Sequence, residues 1–139
     1  MPVVSVTRLR VRSPRYLPPF LFQALRAVWQ AKRSEGNLDV GLLWDADSTF
    51  WTCTVWSTDA AVKGFMLASP HREAMRRLLE WCDEAALVRW EQATSEAPNW
   101  QEAHRRMQAE GRRSKVNHPS AAQEGFQIRA PRVGRYRTF

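Results

Sequence analysis

Between Thr49 and Trp81 the spacing of apolar side chains changes twice, and that change limits the folds open to the chain. From Phe50 to Trp56 the residues are β-branched or aromatic apart from Cys53, which suits a pleated strand. Phe50, Thr52, Thr54 and Trp56 share one face, and Trp51, Cys53 and Val55 share the other. Bulk on both sides implies a strand covered on both faces. At Ser57-Thr58-Asp59 the period becomes helical: Ser57 or Thr58 can cap, Asp59 places a favourable charge in the first turn, and Ala61, Val62, Phe65 and Met66 recur at helical spacing. Ser69-Pro70 is a second start signal, opening a helix whose expected buried stripe is Met75, Leu78 and Leu79.

The flanking segments supply partners. Val3 to Val11 alternates Val4, Val6, Arg8 and Arg10 against Val3, Ser5, Thr7, Leu9 and Val11, a strand with one mainly apolar face. After the proline-rich SPRYLPP, Pro18 or Pro19 starts a helix with Leu21, Leu25, Val28 and Trp29 expected on the buried side and Gln23, Arg26, Gln30 and Arg33 opposite. Gly36 ends it in a left-handed position. Leu38 to Asp45 is a second strand, joined through Ala46-Asp47-Ser48 to the strand at Thr49 as a hairpin. Asp83-Glu84 is expected to turn the chain into a fourth strand, AALVRWEQ. The order is β-α-β-β-α-β, an α+β, ferredoxin-like pattern with a split second helix. Two helices on one sheet face leave the other face needing a cover, which large strand residues suggest a second subunit or a ligand provides.

Asn99, with Glu102 three residues on, starts a further helix carrying Trp100, Ala103, His104 and Met107, and Gly111 stops it. Beyond Arg112 the periodicity disappears. The expected organisation is a ferredoxin-like α/β-barrel domain with its C-terminal helix over residues 1–111, and a basic extended tail over 112–139. That tail reads as an arm packed on its own body or on a neighbour.

Charge bears on partners only when divided along the chain. Residues 1–104 hold 12 basic and 12 acidic residues; residues 105–139 hold 9 and 2, so the whole net charge of +7 lies in the last quarter. A nucleic-acid-binding domain carries its basic footprint on its own elements, so this distribution argues against one. No apolar run is long enough for a membrane span and no signal-peptide pattern stands at the start. Cys53 and Cys82 lie on apolar elements and read as buried thiols of a reducing, cytoplasmic compartment.

The segments VTRLRVRS, FWTCTVW, FMLASPHREAM and WEQ, in this β-α-β-β-α-β order, resemble the antibiotic-biosynthesis-monooxygenase-like group of the dimeric α/β-barrel superfamily. Within that group they resemble the small spheroidene-monooxygenase-like proteins. The resemblance covers about Val3 to Gln92. It implies a homodimer whose two sheets pack face to face, with a cavity in each subunit between sheet and helices. It also implies a monooxygenase-like protein acting on or binding an apolar or aromatic small molecule, either cofactor-free or with haem. The alternative is a non-catalytic ligand-binding or structural homodimer. In haem-degrading members a Trp and an axial His occupy positions that fall, by spacing from Trp56, at Phe65 and Ala74; His71 lies about one turn before the latter.

Among candidate site residues, His71 comes first. In a helix's first turn it is favoured as neutral imidazole, able to act as a base or to ligate haem iron. Arg72 and Arg76, four residues apart, can hold a carboxylate or propionate, or simply pair with Glu73 and Glu80. Trp44, Trp51 and Trp56 can line an aromatic pocket or fill core. His104 and His118 would need a third ligand to bind a metal. The sequence contains no GxSxG, no phosphate loop and no dinucleotide fingerprint.

Overall fold

In the computed structural model the backbone is described for residues 1–68, 71–132 and 135–138, and the side chains for residues 1–68 and 74–132. Strand β1 (Val3–Val11) leads through a short 3-10 turn to helix α1 (Leu17–Arg33). Strands β2 (Asn37–Asp45) and β3 (Thr49–Trp56) follow, then helices α2 (Asp59–Leu67) and α3 (His71–Trp81), and strand β4 (Cys82–Glu91). Helix α4 (Trp100–Glu110), strand β5 (Arg112–Arg113), helix α5 (Ala121–Glu124) and strand β6 (Arg135–Thr138) complete the chain. The sheet order is β5-β4-β1-β3-β2-β6, all neighbours antiparallel. Its inner four strands, in the order 4-1-3-2, have the ferredoxin-like arrangement.

The hairpin, the split helix and the caps at Thr58 and Asn99 form where the sequence places them, while the start signal Ser69-Pro70 lies outside the described residues. Thr58 is the cap of α2, accepting the Ala61 N–H at 3.1 Å, and Asn99 caps α4 by accepting the Glu102 N–H at 2.8 Å. Gly36 has φ +86°, and its carbonyl accepts the Ser57 N–H at 2.7 Å. A Cβ there would lie 2.6 Å from the Ala61 Cβ, so the turn requires glycine for space as well as for conformation.

Two local readings are corrected. Asp83 and Glu84 make no turn: α3 ends at Trp81 and β4 begins at Cys82, with Glu84 opposite Arg10 in the ladder. Both acids are held in the strand by β1 arginines. Arg8 Nη1 donates to Glu84 Oε1 at 2.7 Å, both residues being buried, and Arg10 Nη1 reaches Asp83 at 3.1 Å and Glu84 at 3.2 Å. Helix α1 is also rotated from its expected pose. Phe20, Gln23, Val28 and Ala31 are buried, whereas Leu25 and Trp29 are 52% and 61% exposed. The helix has two apolar sides, and the one rich in small residues (Ala24, Ala27, Ala31) faces the sheet.

Strand alternation sorts the core into two layers. On the face toward α1–α3 lie Phe50, Val40 and Trp56 with Phe20, Val28 and Val62. On the opposite face Val4, Val6, Trp51, Val55, Val88 and Trp90 pack with Ala103 and Met107 of α4, and with Phe126 and Ile128 beyond it. The cover that the sequence leaves to a second subunit or ligand is therefore supplied by the chain itself. Residues 112–132 run back over the body: Ser114 N–H donates to Ala85 O at 2.8 Å, and Ile128 N–H to Gln108 Oε1 at 3.0 Å. The buried Gln123 side chain accepts from Ala85 N at 3.0 Å and donates to Ala85 O at 3.1 Å and Ser114 O at 2.8 Å, taking the place of a ladder partner at the edge of β4. Asp47 closes the arm by pairing with Arg129 at 2.7 Å.

Glu84 sits at the junction of sheet and arm, since Ser120 Oγ also donates to it at 3.0 Å. Burial pushes its carboxyl upward, but the Arg8 hydrogen bond and charge, with Ser120 and Arg10, outweigh this and hold it below the ordinary glutamate range. A depressed folded pKa stabilises above the unfolded value, near 4.3, and that contribution disappears as pH falls through the folded pKa. Glu84→Gln is therefore expected to cost about 3 kcal/mol in urea unfolding at pH 7 by stranding Arg8. The gap to wild type should narrow below about pH 4; a gap that persists unchanged there would contradict the ion-pair account.

Candidate functional site

A cavity of about 310 Å³ lies between the sheet and helices α1–α3. Its position follows from two choices of side chain. Helix α1 presents Ala24, Ala27 and Ala31 to the lumen, and the facing strands contribute Ser5, Thr7, Thr52 and Thr54. Small groups on both walls leave space that larger residues would fill. Phe65 and Met66 of α2, and Ala74, Met75, Leu78 and Leu79 of α3, form the remaining wall, with Ser114, Lys115 and Val116 of the arm at one end. The expected buried stripe of α3 is thus a cavity lining, with Met75 43% exposed.

The floor is ordered by strand register. Ser5 lies abreast of Arg89 and Thr54, Thr7 abreast of Leu87 and Thr52, and Leu9 abreast of Ala85 and Phe50. Thr54 Oγ1 donates to Ser5 O at 3.4 Å. Buried Gln23 lines the cavity from α1, and its Oε1 has no hydrogen-bond partner among the described residues. The lumen is therefore apolar on its helical walls, with hydroxyls, an amide and a guanidinium at chosen places. This matches the general form of a small-molecule site, and its volume lies at the small end of that class.

The residues singled out from the sequence distribute unevenly around this cavity. Phe65 lines it, its ring 5.1 Å from that of Trp56, which packs behind it in the core. Trp44 stacks on Phe50 at 5.3 Å and is 36% exposed. Trp51 is on the other sheet face, its ring 6.5 Å from Trp100 and 6.3 Å from His104. The three tryptophans are thus not brought together, and none lines the cavity. Arg76 is exposed on α3 and is also absent from the lining. His71 and Arg72 open α3, but their side chains lie outside the described residues.

Neither His104 nor His118 approaches a metal constellation. His104 Nε2 is 2.8 Å from Ile128 O, His118 is 3.3 Å from Glu80, and no His/Cys/Asp/Glu cluster able to hold a metal occurs among the described residues. Cys53 and Cys82 are free and buried, and burial pushes both thiols up to about 12, so they are inert at neutral pH. For haem, the described lining offers no imidazole, thiolate or phenolate, only the thioethers of Met66 and Met75, and the side chain of His71, the expected iron ligand, lies outside the described residues.

Sequence reasoning missed Arg89, Gln23 and the hydroxyl floor. The alternation of β1 and β3 does place Ser5, Thr7, Thr52 and Thr54 on single faces, and hydroxyls on a face otherwise covered by helices are a readable sign of a lumen. For Gln23 the helical spacing points away from the side of Leu21, Leu25 and Val28, and nothing local to the sequence signals its burial.

Comparison with known proteins adds the following. The profile of the domain of unknown function DUF3291 matches residues 24–115. No curated protein matches the sequence. Among solved structures, a variant of SnoaB, a cofactor-independent oxygenase from Streptomyces nogalater, superposes with a TM-score of 0.57 at 16% identity, covering 67% of this chain and 94% of that one. Rv0793 from Mycobacterium tuberculosis gives 0.62 at 11% identity, over 68% and 97%. An antibiotic biosynthesis monooxygenase gives 0.59 at 12% identity, over 66% and 99%. At these identities the likeness establishes the ferredoxin-like fold that this chain shares with them. No helix among the described residues is long and apolar enough to cross a membrane.

Proposed function

The chain belongs to the DUF3291 family, a domain of unknown function, and from that premise we propose that it binds an apolar or aromatic small molecule in the cavity between its sheet and helices α1–α3. The observation that carries this reading is the lumen itself. Small residues on α1 and hydroxyls on β1 and β3 hold open a space that the core would otherwise fill. The kinship of fold with a cofactor-independent oxygenase supports oxygenation as the chemistry of such a site. Oxygenation without a cofactor calls for a base that removes a proton from the bound molecule, leaving an electron-rich anion for oxygen to meet. His71, at the start of the helix whose Ala74 and Met75 line the lumen, is the residue we assign to that role.

Homodimerisation is part of the same reading, with a changed surface. The sheet face away from α1–α3 is already covered by α4 and the arm. Phe22, Leu25 and Trp29 fall at helical spacing on the outside of α1, 61%, 52% and 61% exposed, and form the apolar patch we assign to a second copy. The domain division at residue 111 and the cytoplasmic location are proposed on the sequence reading, the latter supported by the two free buried thiols.

Three outcomes are expected. Ala27→Phe, which fills the lumen, should weaken binding of the neutral fluorescent probe N-phenyl-1-naphthylamine by at least about tenfold while costing no more than about 1–3 kcal/mol of stability. Unchanged probe affinity in a folded variant would place binding elsewhere. A haem titration read by visible absorption should give no saturable Soret shift that His71→Ala abolishes; such a shift would restore haem and displace the cofactor-free reading. In sedimentation, Trp29→Glu should turn a dimer into a monomer, and a dimer that survives it would rule out α1 as the interface.

A further inference from the structure

Two arginines point to opposite sides of the sheet, and they are treated differently. Arg8, on the arm side, is closed by Glu84 at 2.7 Å, although its Nε has no partner among the described residues. Arg89, on the cavity side of β4, has no oxygen that close among the described residues. Its Nη1 lies 3.7 Å from Asp59, whose other carboxylate oxygen is taken by Lys63 at 2.9 Å. Its Nη2 rests against Met66 Sδ at 2.7 Å, a thioether and so a weak acceptor. Its Nε is buried without any partner among the described residues, and the side chain is only 21% exposed. Among the described residues, then, a guanidinium with five donors has one distant, shared counter-charge and is left under-satisfied against an apolar lumen.

We infer that Arg89 is the anchor for the anionic head of the cavity's ligand, and that the ligand class is an apolar carboxylate. The inference deepens the proposed small-molecule function and rests on it. The floor supports one orientation. Beside Arg89 stands Ser5, whose hydroxyl can donate a further hydrogen bond to a carboxylate; four residues along the strand, Ala85, Leu9 and Phe50 form an apolar row. The separation is roughly 13 Å at about 3.3 Å per residue, so the body of a molecule about that long lies along the strands with its head at Arg89. Lys115 enters the lining near the Ala85 end, where Ser114 bonds Ala85, but it is exposed and its ammonium stays hydrated. A planar, weakly hydrated guanidinium in a dry wall is the better carboxylate partner.

The test is calorimetric titration of the full chain with decanoate and, in parallel, with 1-decanol, a neutral molecule of the same length. Decanoate is expected to bind at least about tenfold more tightly. Arg89→Met should abolish that preference while changing decanol affinity less than about threefold, and Arg89→Lys should restore part of it. Asp59→Asn, which removes the competing carboxylate, should tighten decanoate alone, giving a reading that does not depend on the fold tolerating a change at Arg89. Equal affinity for the two probes in wild type, or a preference lost in Lys115→Met and kept in Arg89→Met, would overturn the anchor while leaving the cavity as a binding site. Binding of neither probe would overturn both.

Discussion

Strict two-residue alternation along β1, β3 and β4 is the constraint on which the other features rest. Val4 and Val6, Trp51, Cys53 and Val55, and Val88 and Trp90 go to one side of the sheet; Ser5 and Thr7, Thr52 and Thr54, and Leu87 and Arg89 go to the other. The first set is bulky and excludes water with α4 and the arm. The second, Leu87 apart, is small or polar and leaves space beneath α1–α3. A slip of one residue in any of these strands would bring hydroxyls and a guanidinium into the packed layer and tryptophans into the lumen, so the register is specified by both faces together. Core and cavity are two consequences of one pattern.

The C-terminal quarter belongs to this scheme physically, although its composition sets it apart. Part of its positive charge is taken up by the body itself: Arg129 and Arg132 bond Asp47, and Arg10 on β1 pairs with Asp83 and Glu84 where Ser120 also binds. The Gln123 amide serves the edge of β4 where a backbone partner would otherwise stand. The arm thus satisfies donors and acceptors of the sheet while Phe126 and Ile128 add apolar cover, which removes the physical reason for a second subunit on that face.

Helix α1 links packing to function. Its two apolar sides differ in size: alanines face inward and Phe22, Leu25 and Trp29 face outward. Turning the large side inward would bury more apolar area but would close the lumen. The observed orientation keeps the cavity open and leaves an exposed aromatic patch. The same trade explains why Gln23 is inside, with its carbonyl oxygen lacking a hydrogen-bond partner among the described residues.

The sequence by itself determined the order of elements as far as α4, the hairpin, the split helix, the caps at Thr58 and Asn99, and the two faces of β1 and β3, but not β5, α5 and β6 of the arm. These depend on spacing and on contacts within a few residues, which a local pattern records. It also carried the likeness to the monooxygenase-like fold. Tertiary structure alone decided which side of α1 faces the sheet, that Asp83 and Glu84 belong in a strand, that the arm covers its own sheet, and that Arg89 shares a cavity with Phe65 while Trp44 and Trp51 do not. Each of these turns on partners far apart in the chain, such as Arg8 with Glu84 or Gln123 with Ala85, and on the volume left between elements, which no single segment encodes.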